Sequence, residues 1–150
     1  MKKFVGVGIL GLLTVIGLSM YSAMEFGEKS PFFATGNIEL DSSLVADADG
    51  ISTLYITVFD AESPMPMPYG AMKERLSKPA AAGSFFPLVI TKEKLQVMNP
   101  NRPVPKKMRL KARLDKDGLG GFDQPGDLTG QVHDISFGEE NVTIIINKKI

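Results

Sequence analysis

Short runs of alternating apolar and polar residues dominate the chain after residue 33. Alternation of this kind is typical of half-buried β-strands, because successive side chains point to opposite faces. The clearest runs cover residues 37–41, 54–59, 88–91, 107–114 and 142–147, and weaker candidates cover Tyr69 to Arg75 and Leu128 to Ile135. Glycine, proline and aspartate clusters separate the runs, so the pattern predicts an all-β fold, an antiparallel β-sandwich of about seven strands.

Three segments between these runs have a less regular pattern. Residues 92–98 are compatible with a turn of helix or with a continued strand. Residues 99–105 contain three prolines and predict an exposed crossover. Asp117-Gly118 directly follows the cleanest strand and indicates a tight turn. No long helical pattern follows residue 30.

The N-terminus has a different character. Lys2 and Lys3 precede an uncharged, largely apolar segment, Phe4 to Met24, which is long enough to cross a bilayer as a helix. The flanking charges predict a cytoplasmic N-terminus. A cleaved signal peptide is the alternative, although the small-x-small cleavage pattern around Ala23 is poor. We therefore expect a transmembrane anchor over 1–24, a linker over 25–33 and an exported domain over 34–150.

Composition excludes several kinds of function. The chain has no cysteine, which excludes disulfides, thiolate metal sites and covalent haem attachment through Cys-x-x-Cys-His. Lysine plus arginine equals aspartate plus glutamate, 17 each, so global charge gives no case for a nucleic-acid partner. His133 is the only histidine, and no nucleophile elbow or oxyanion loop accompanies it. The sequence therefore does not predict an enzyme.

Methionines around a proline-rich loop raise the possibility of copper binding. Met65, Met67 and Met72 could supply thioethers to Cu(I), with His133 as a further ligand. The alternative is that these flexible side chains fill gaps in the core or form an adaptable contact surface. The sequence favours packing or partner contact over copper binding, and we predict no cofactor.

Charged residues near the strand over 107–114 have two further interpretations. Asp115, Asp117, Asp123 and Asp127 could suggest calcium, but they do not have EF-hand spacing, and turn chemistry explains them equally well. A basic stripe lies on one face of the strand and consists of Lys107, Arg109, Lys111 and Arg113. We expect this stripe to be solvated or balanced by acids on a neighbouring strand, with acidic lipids or an acidic partner as the alternative.

Several segments, taken in order, resemble one protein family. They are Gly36 to Leu40, Leu54 to Ala61, Pro64 to Pro68, Phe86 to Thr91, Leu95 to Met98, Leu110 to Leu114 and Gln124 to Gly130. From Ala34 onward they resemble the C-terminal Ig-like domain of the cytochrome c-type biogenesis protein CycH (CcmI) family. The resemblance implies an Ig-like sandwich in the bacterial periplasm and a non-enzymatic role in cytochrome c maturation, where family members hold apocytochrome c.

Family members typically carry two membrane helices and a tetratricopeptide region before this domain, whereas here one span precedes it almost directly. What transfers best is therefore the fold, the compartment and a link to cytochrome or respiratory-complex assembly. The expected partners are cytochrome c maturation components or apocytochrome c, together with the inner membrane through residues 4–24. A Cu(I)-binding module and an accessory subunit of a respiratory membrane complex are the alternatives.

Two segments are candidates for contact with a partner. The first is the proline-methionine loop, because proline holds a segment extended and suits it to display side chains. Its residues are Pro64, Met65, Pro66, Met67, Pro68 and Tyr69. The second is the turn formed by Gln124, Pro125, Gly126 and Asp127.

Overall fold

The structure is a computed structural model that describes residues 32–65 and 67–150. This part of the chain contains nine β-strands and two short helices. The strands are β1 (Phe32–Leu40), β2 (Thr53–Asp60), β3 (Pro68–Arg75), β4 (Gly83–Thr91), β5 (Gln96–Val97), β6 (Lys107–Asp115), β7 (Leu128–Ser136), β8 (Glu139–Ile146) and β9 (Lys148–Lys149). A 3-10 helix (Ser42–Leu44) and α1 (Val45–Ala48) connect β1 to β2.

The prediction of an all-β fold is confirmed. Each run of alternating residues coincides with one of the seven longer strands, although the runs over 37–41 and 142–147 extend one residue past the ends of β1 and β8. β5 and β9 are additional two-residue strands. Residues 92–98 form a turn followed by β5, and 99–105 contain no helix or strand. The chain turns at Gly118, where φ is +72°, but β7 begins only at Leu128, so a long loop rather than a tight hairpin joins β6 to β7.

The strands form two sheets around one core. One sheet has the order β4-β1-β8, and the other has the order β5-β3-β2-β6-β7-β9. Alternate residues of each strand face inward, and Leu54, Ile56 and Val58 of β2 are completely buried together with Ile38 and Ile144 from the smaller sheet. Burial of this apolar surface is the main force that holds the two sheets together.

Two details of the sandwich differ from the prediction. β8 runs parallel to β1, with Ile38 opposite Ile144, so the smaller sheet is mixed rather than antiparallel. In an immunoglobulin constant domain the first, second, fourth and fifth strands share a sheet. Here the first, fourth and seventh of the longer strands do. Alternation shows which face of a strand is buried, but it does not determine which distant strand becomes its neighbour.

Two glycines permit close approach of β8 to its neighbours. A Cβ atom at Gly36 of β1 would lie 1.8 Å from the carbonyl oxygen of Val142, and one at Gly130 of β7 would lie 1.9 Å from that of Ile145. Any side chain at either position would therefore collide with the backbone of β8. β8 therefore lies close to β1 in its own sheet and also to β7, which belongs to the six-stranded sheet.

The N-terminal predictions fall largely outside the described residues. The predicted anchor over 1–24 lies there entirely, and so does the linker up to residue 31. Phe32 and Phe33, which we expected in the linker, belong to β1, and Phe33 is buried against Tyr69 and Phe137. Within the described part of the chain, no helix is long and apolar enough to cross a membrane.

Candidate functional site

The outer face of the six-stranded sheet carries an ordered array of polar and aromatic side chains. Residues of β2 and β6 that are not in the core lie opposite one another on this face. The pairs are Tyr55 with Arg113, Thr57 with Lys111, and Phe59 with Arg109. β3 continues the rows with Lys73, Ala71 and Pro68, and β5 adds Gln96 next to Ala71.

Arg113 anchors the loop that follows its own strand. Its Nη2 atom lies 3.1 Å from Oδ2 of Asp115, and its Nη1 atom lies 3.0 Å from Oδ1 of Asp123 and 2.8 Å from the carbonyl oxygen of Gly121. Nε lies 3.8 Å from Oδ2 of Asp127. Only 10% of the Arg113 side chain is exposed, so these interactions form in a weakly screened environment.

The same carboxylates also bind the backbone of the loop. Asp115 accepts the N–H groups of Gly118 and Gly120, at 3.1 and 3.0 Å. Asp127 accepts those of Lys116 and Gln124, at 2.9 and 2.8 Å. Each carboxylate thus joins a buried guanidinium to backbone donors. We call residues 116–127 the arginine-pinned loop.

This network changes the interpretation of the basic stripe. Lys111 and Arg113 are largely buried rather than solvated, and their acidic partners come from β6 itself and the arginine-pinned loop instead of a neighbouring strand. Burial opposes ionisation of Asp123, but hydrogen bonds and charge from Lys111 and Arg113 outweigh it and lower the pKa of that carboxyl.

The same network accounts for the aspartates that suggested calcium. Asp115, Asp123 and Asp127 converge on a guanidinium, which takes the place that a cation would need. Among the described residues, no group of three or more histidine, aspartate or glutamate side chains is arranged to hold a metal ion.

Two large apolar side chains project from the arginine-pinned loop into solvent. Leu119 is 84% exposed and Phe122 is 91% exposed. Large apolar side chains displayed together on a fixed loop are characteristic of interaction sites. Neither residue is among the contact candidates predicted from the sequence. The available signal was a pair of large apolar residues within a glycine-rich segment that has no alternating pattern.

A groove lies between this loop and β5. Its volume is about 840 Å³, and Leu119 and Phe122 line one side while Met98 and Pro68 line the other. The outer face of the sheet forms the floor of the groove. This floor is low at its centre because the paired residues Ala71 and Thr57 have small side chains. Tyr55 and Phe59 bound the floor at either end of β2.

A second cavity of about 500 Å³ lies beyond Phe59, which lines both spaces. Its lining residues include Pro64, Met65, Arg109, His133 and Asp134. The pairing of β6 with β7 shifts register here, between Met108 and Leu110, and Asp134 has a φ of 58°. This β-bulge turns His133 and Asp134 out of the regular alternation and places them at the cavity wall.

Arg109 lines the second cavity and stacks on Phe59, which also lines the groove. Its guanidinium carbon is 3.7 Å from the centre of the Phe59 ring, and its Nη1 atom donates to Oε1 of Gln131 at 2.7 Å. Partial burial lowers the pKa of Arg109, yet the group remains a cation at neutral pH because an arginine titrates far above it. In the described part of the chain, no carboxylate forms an ion pair with this residue.

The proline-methionine loop is only partly a surface feature. Pro64, Met65 and Met67 are exposed and Pro68 is half-buried, while Pro66 lies outside the described residues. Tyr69 is 5% exposed, because its ring packs 6.0 Å from that of Phe33. The side chain of Tyr69 therefore belongs to the core and does not contribute to an outer contact surface.

The Gln124–Asp127 turn has a similar division. Gln124 and Pro125 are exposed, whereas Asp127 is 1% exposed and acts inside the arginine-pinned loop. Gly126 has a φ of 97°, and its N–H group donates to the carbonyl oxygen of Ile150 at 3.0 Å. This hydrogen bond joins the turn before β7 to the last residue of the chain. Gly126 and Asp127 therefore stabilise the fold, whereas Gln124 and Pro125 are available for contact.

The methionines that suggested copper are also separated. Met72 lies in β3 and is 4% exposed, which places it in the core and away from any surface site. Met65 and His133 do line one cavity.

Comparison of the chain with protein-family models, curated proteins and solved structures gave no match.

Proposed function

We propose that this protein is a non-enzymatic, membrane-anchored periplasmic protein that acts through protein–protein contacts in cytochrome c maturation or assembly. In this proposal residues 1–24 anchor the chain in the bacterial inner membrane with the N-terminus in the cytoplasm. The partner binds on the outer face of the six-stranded sheet, over the groove and the arginine-pinned loop.

One observation carries the contact proposal: Leu119 and Phe122 are almost fully exposed on a loop that buried ion pairs hold in place. A rigid apolar anchor loses little conformational entropy when a partner covers it, which makes it an efficient contact residue. The exposed side chains of Met65 and Met98 extend the apolar surface beside the groove, and methionine adapts readily to a partner's shape.

The link to cytochrome c maturation rests on the CycH resemblance. The resembling segments lie, in order, on β1, β2, the proline-methionine loop, β4, β5, β6 and the start of β7. The Ig-like relationship is part of this proposal. Those segments and the two-sheet architecture support it, although the strand order differs from that of an immunoglobulin constant domain.

The test is site-specific crosslinking of the full chain in membranes. A photo-crosslinking amino acid at Leu119 should capture maturation components or apocytochrome c, identified by mass spectrometry. Phe122→Ser should remove most of the product, whereas Val45→Ser, which removes an exposed apolar side chain on α1, should leave it intact.

Other products would redirect the proposal. Capture of a respiratory complex without maturation factors would favour the accessory-subunit alternative. Equal product from wild type and Phe122→Ser would contradict the proposed contact face. Normal covalent cytochrome c in cells that lack the protein would contradict the maturation role.

The shared cavity of Met65 and His133 favours one second candidate, a Cu(I) site in which Met67 is a further donor. Titration of the full chain with Cu(I) against a competing chelator tests it. Stoichiometric binding that is lost in Met65→Ala/Met67→Ala and in His133→Ala would support copper. Binding that is the same in all variants would reject this site.

A further inference from the structure

We propose that two copies of this chain dimerise face to face, with Leu119 and Phe122 of each copy seated in the groove of the other. The inference goes beyond the proposed function, because the second copy covers the outer face of the six-stranded sheet while no other partner is bound. The two occupants therefore compete for one surface.

The two most exposed large apolar side chains among the described residues, Leu119 and Phe122, line this groove. Met98 lines the opposite side and is 55% exposed, and Met67, also 55% exposed, directly precedes Pro68 of the groove lining. Burial of apolar surface is the main driving force of protein association. An occupant of the groove must therefore offer apolar side chains, and the arginine-pinned loop of a second copy displays two of them.

The charges of this face permit a copy of the same face to approach. Nζ of Lys111 lies 2.6 Å from Oδ2 of Asp123, and Nη1 of Arg113 lies 3.0 Å from Oδ1 of the same residue. Both cations that line the groove are thus ion-paired. The formal net charge of the whole chain is zero. Proteins with a large net charge repel their own copies, whereas neither the groove lining nor the whole chain opposes association here.

The face is complementary to itself in shape. A raised side, formed by Leu119 and Phe122, lies next to the low floor at Ala71 and Thr57. In a dimer with two-fold symmetry every contact occurs twice. An axis parallel to the strands, between the raised side and the floor, places the raised side of each copy on the floor of the other. The groove volume of about 840 Å³ leaves space for these two side chains.

The size of the face reaches the lower limit for a specific interface. Its four strands, β5, β3, β2 and β6, span about 19 Å at ~4.8 Å per strand. The eight residues of β2 extend over about 27 Å at ~3.4 Å per residue. Two such faces bury roughly 1,000 Å² before the relief of the side chains is counted, which is about the minimum for a specific interface. In the proposed anchored arrangement a shared membrane raises the effective concentration, so an interface of this size is sufficient.

The test measures association of the full chain in lipid vesicles. The chain has no cysteine, so Glu140→Cys, at an exposed position of β8, provides a single site for fluorescent labels. Energy transfer between donor-labelled and acceptor-labelled copies, measured over a range of protein-to-lipid ratios, gives the Kd of the dimer. Phe122→Ser should raise this Kd at least about tenfold, because it removes an anchor from both contacts. Val45→Ser removes an exposed apolar side chain on α1 and should change the Kd less than about twofold.

A mixture of two variants tests the exchange of side chains directly. Ala71→Trp fills the floor but keeps Phe122, whereas Phe122→Ser keeps the floor open. Each variant alone should be monomeric at ratios where the wild type dimerises, because neither of the two contacts can form. A mixed pair can form one contact, so energy transfer between the two variants should exceed that within either one. Both variants should unfold at the temperature of the wild type, which separates loss of association from loss of the fold.

Each outcome has a defined meaning. A wild type that is monomeric at every ratio, or an unchanged Kd in Phe122→Ser, would overturn the dimer. Absence of recovery in the mixed pair would overturn the seating of each loop in the other copy's groove. Capture of a maturation component by crosslinking at Leu119 would leave the proposed function standing even if the chain is monomeric. Capture of a second copy alone would support the dimer and contradict the proposed partner.

Discussion

The Nη1 atom of Arg113 lies 3.0 Å from Oδ1 of Asp123, so a strand residue binds the loop that emerges from the end of its own strand. This contact closes the arginine-pinned loop over the sheet. Nε of Arg113 is buried and has no hydrogen-bond partner among the described residues, since Asp127 is too distant at 3.8 Å. Arg113 therefore contacts the loop directly through Nη1 and indirectly through Nη2, which binds Asp115, the acceptor of two N–H groups of the loop.

Replacing Arg113 by methionine should destabilise the domain strongly. The change leaves the buried carboxylates of Asp115 and Asp127 without their counter-charge, while Asp123 keeps Lys111. Removal of one partner from a buried ion pair typically costs about 3–5 kcal/mol. Urea unfolding followed by circular dichroism measures the loss. Lys107→Met on the same strand should change the free energy of unfolding by less than ~1 kcal/mol. Equal effects of the two substitutions would contradict the role of Arg113.

Asp123 should make stability fall in mild acid. Its folded pKa lies below the ordinary value of about 4, so its contribution is complete above about pH 5 and is lost as pH falls through 4 towards the lowered pKa. Asp123→Asn should therefore show a flatter loss of unfolding free energy below about pH 5. Asp41 and Asp117 also have lowered pKa values, but both remain in the variant and cancel in the difference.

Gly130→Ala should disrupt the packing of β7 against β8. The new Cβ would lie 1.9 Å from the carbonyl oxygen of Ile145, so the strands must separate, and we expect a loss of about 3 kcal/mol or more. Gly121→Ala meets no atom within 4 Å but has a φ of 79°, so only backbone strain of about 1 kcal/mol applies. Similar costs for the two variants would show that close approach is not the reason for Gly130.

Met72→Ala and Met67→Ala should differ in stability although both lie near the same loop. Met72 is buried, and its truncation leaves a cavity that typically costs about 2–5 kcal/mol. Met67 is exposed, and its truncation should cost less than ~0.5 kcal/mol. Thermal unfolding distinguishes them. A stable Met72→Ala would place that side chain outside the core, contrary to the structure.

The strands could be predicted from sequence because burial in a sandwich imposes a period of two on each one separately. The alternation of Leu54, Ile56 and Val58 is sufficient to identify β2. Pairing between distant strands leaves no such local mark, which is why the parallel contact of β1 with β8 was not predicted.

The site was less predictable for a related reason. Outward-facing Lys111 and Arg113 have the pattern of a solvated stripe, and only the path of the following loop places Asp123 over them. Tyr69 shows the converse case. It follows a proline-rich segment that is typical of a surface loop, yet it is already in β3 and faces the core.

The parallel pairing of β1 with β8 has a consequence for the order of assembly during translation. β1 emerges from the ribosome about a hundred residues before the strand that completes its sheet. Until then one edge of β1 exposes unpaired N–H and C=O groups, which can pair with other extended chains. The nascent domain should therefore depend on protection of that edge until synthesis has passed residue 146.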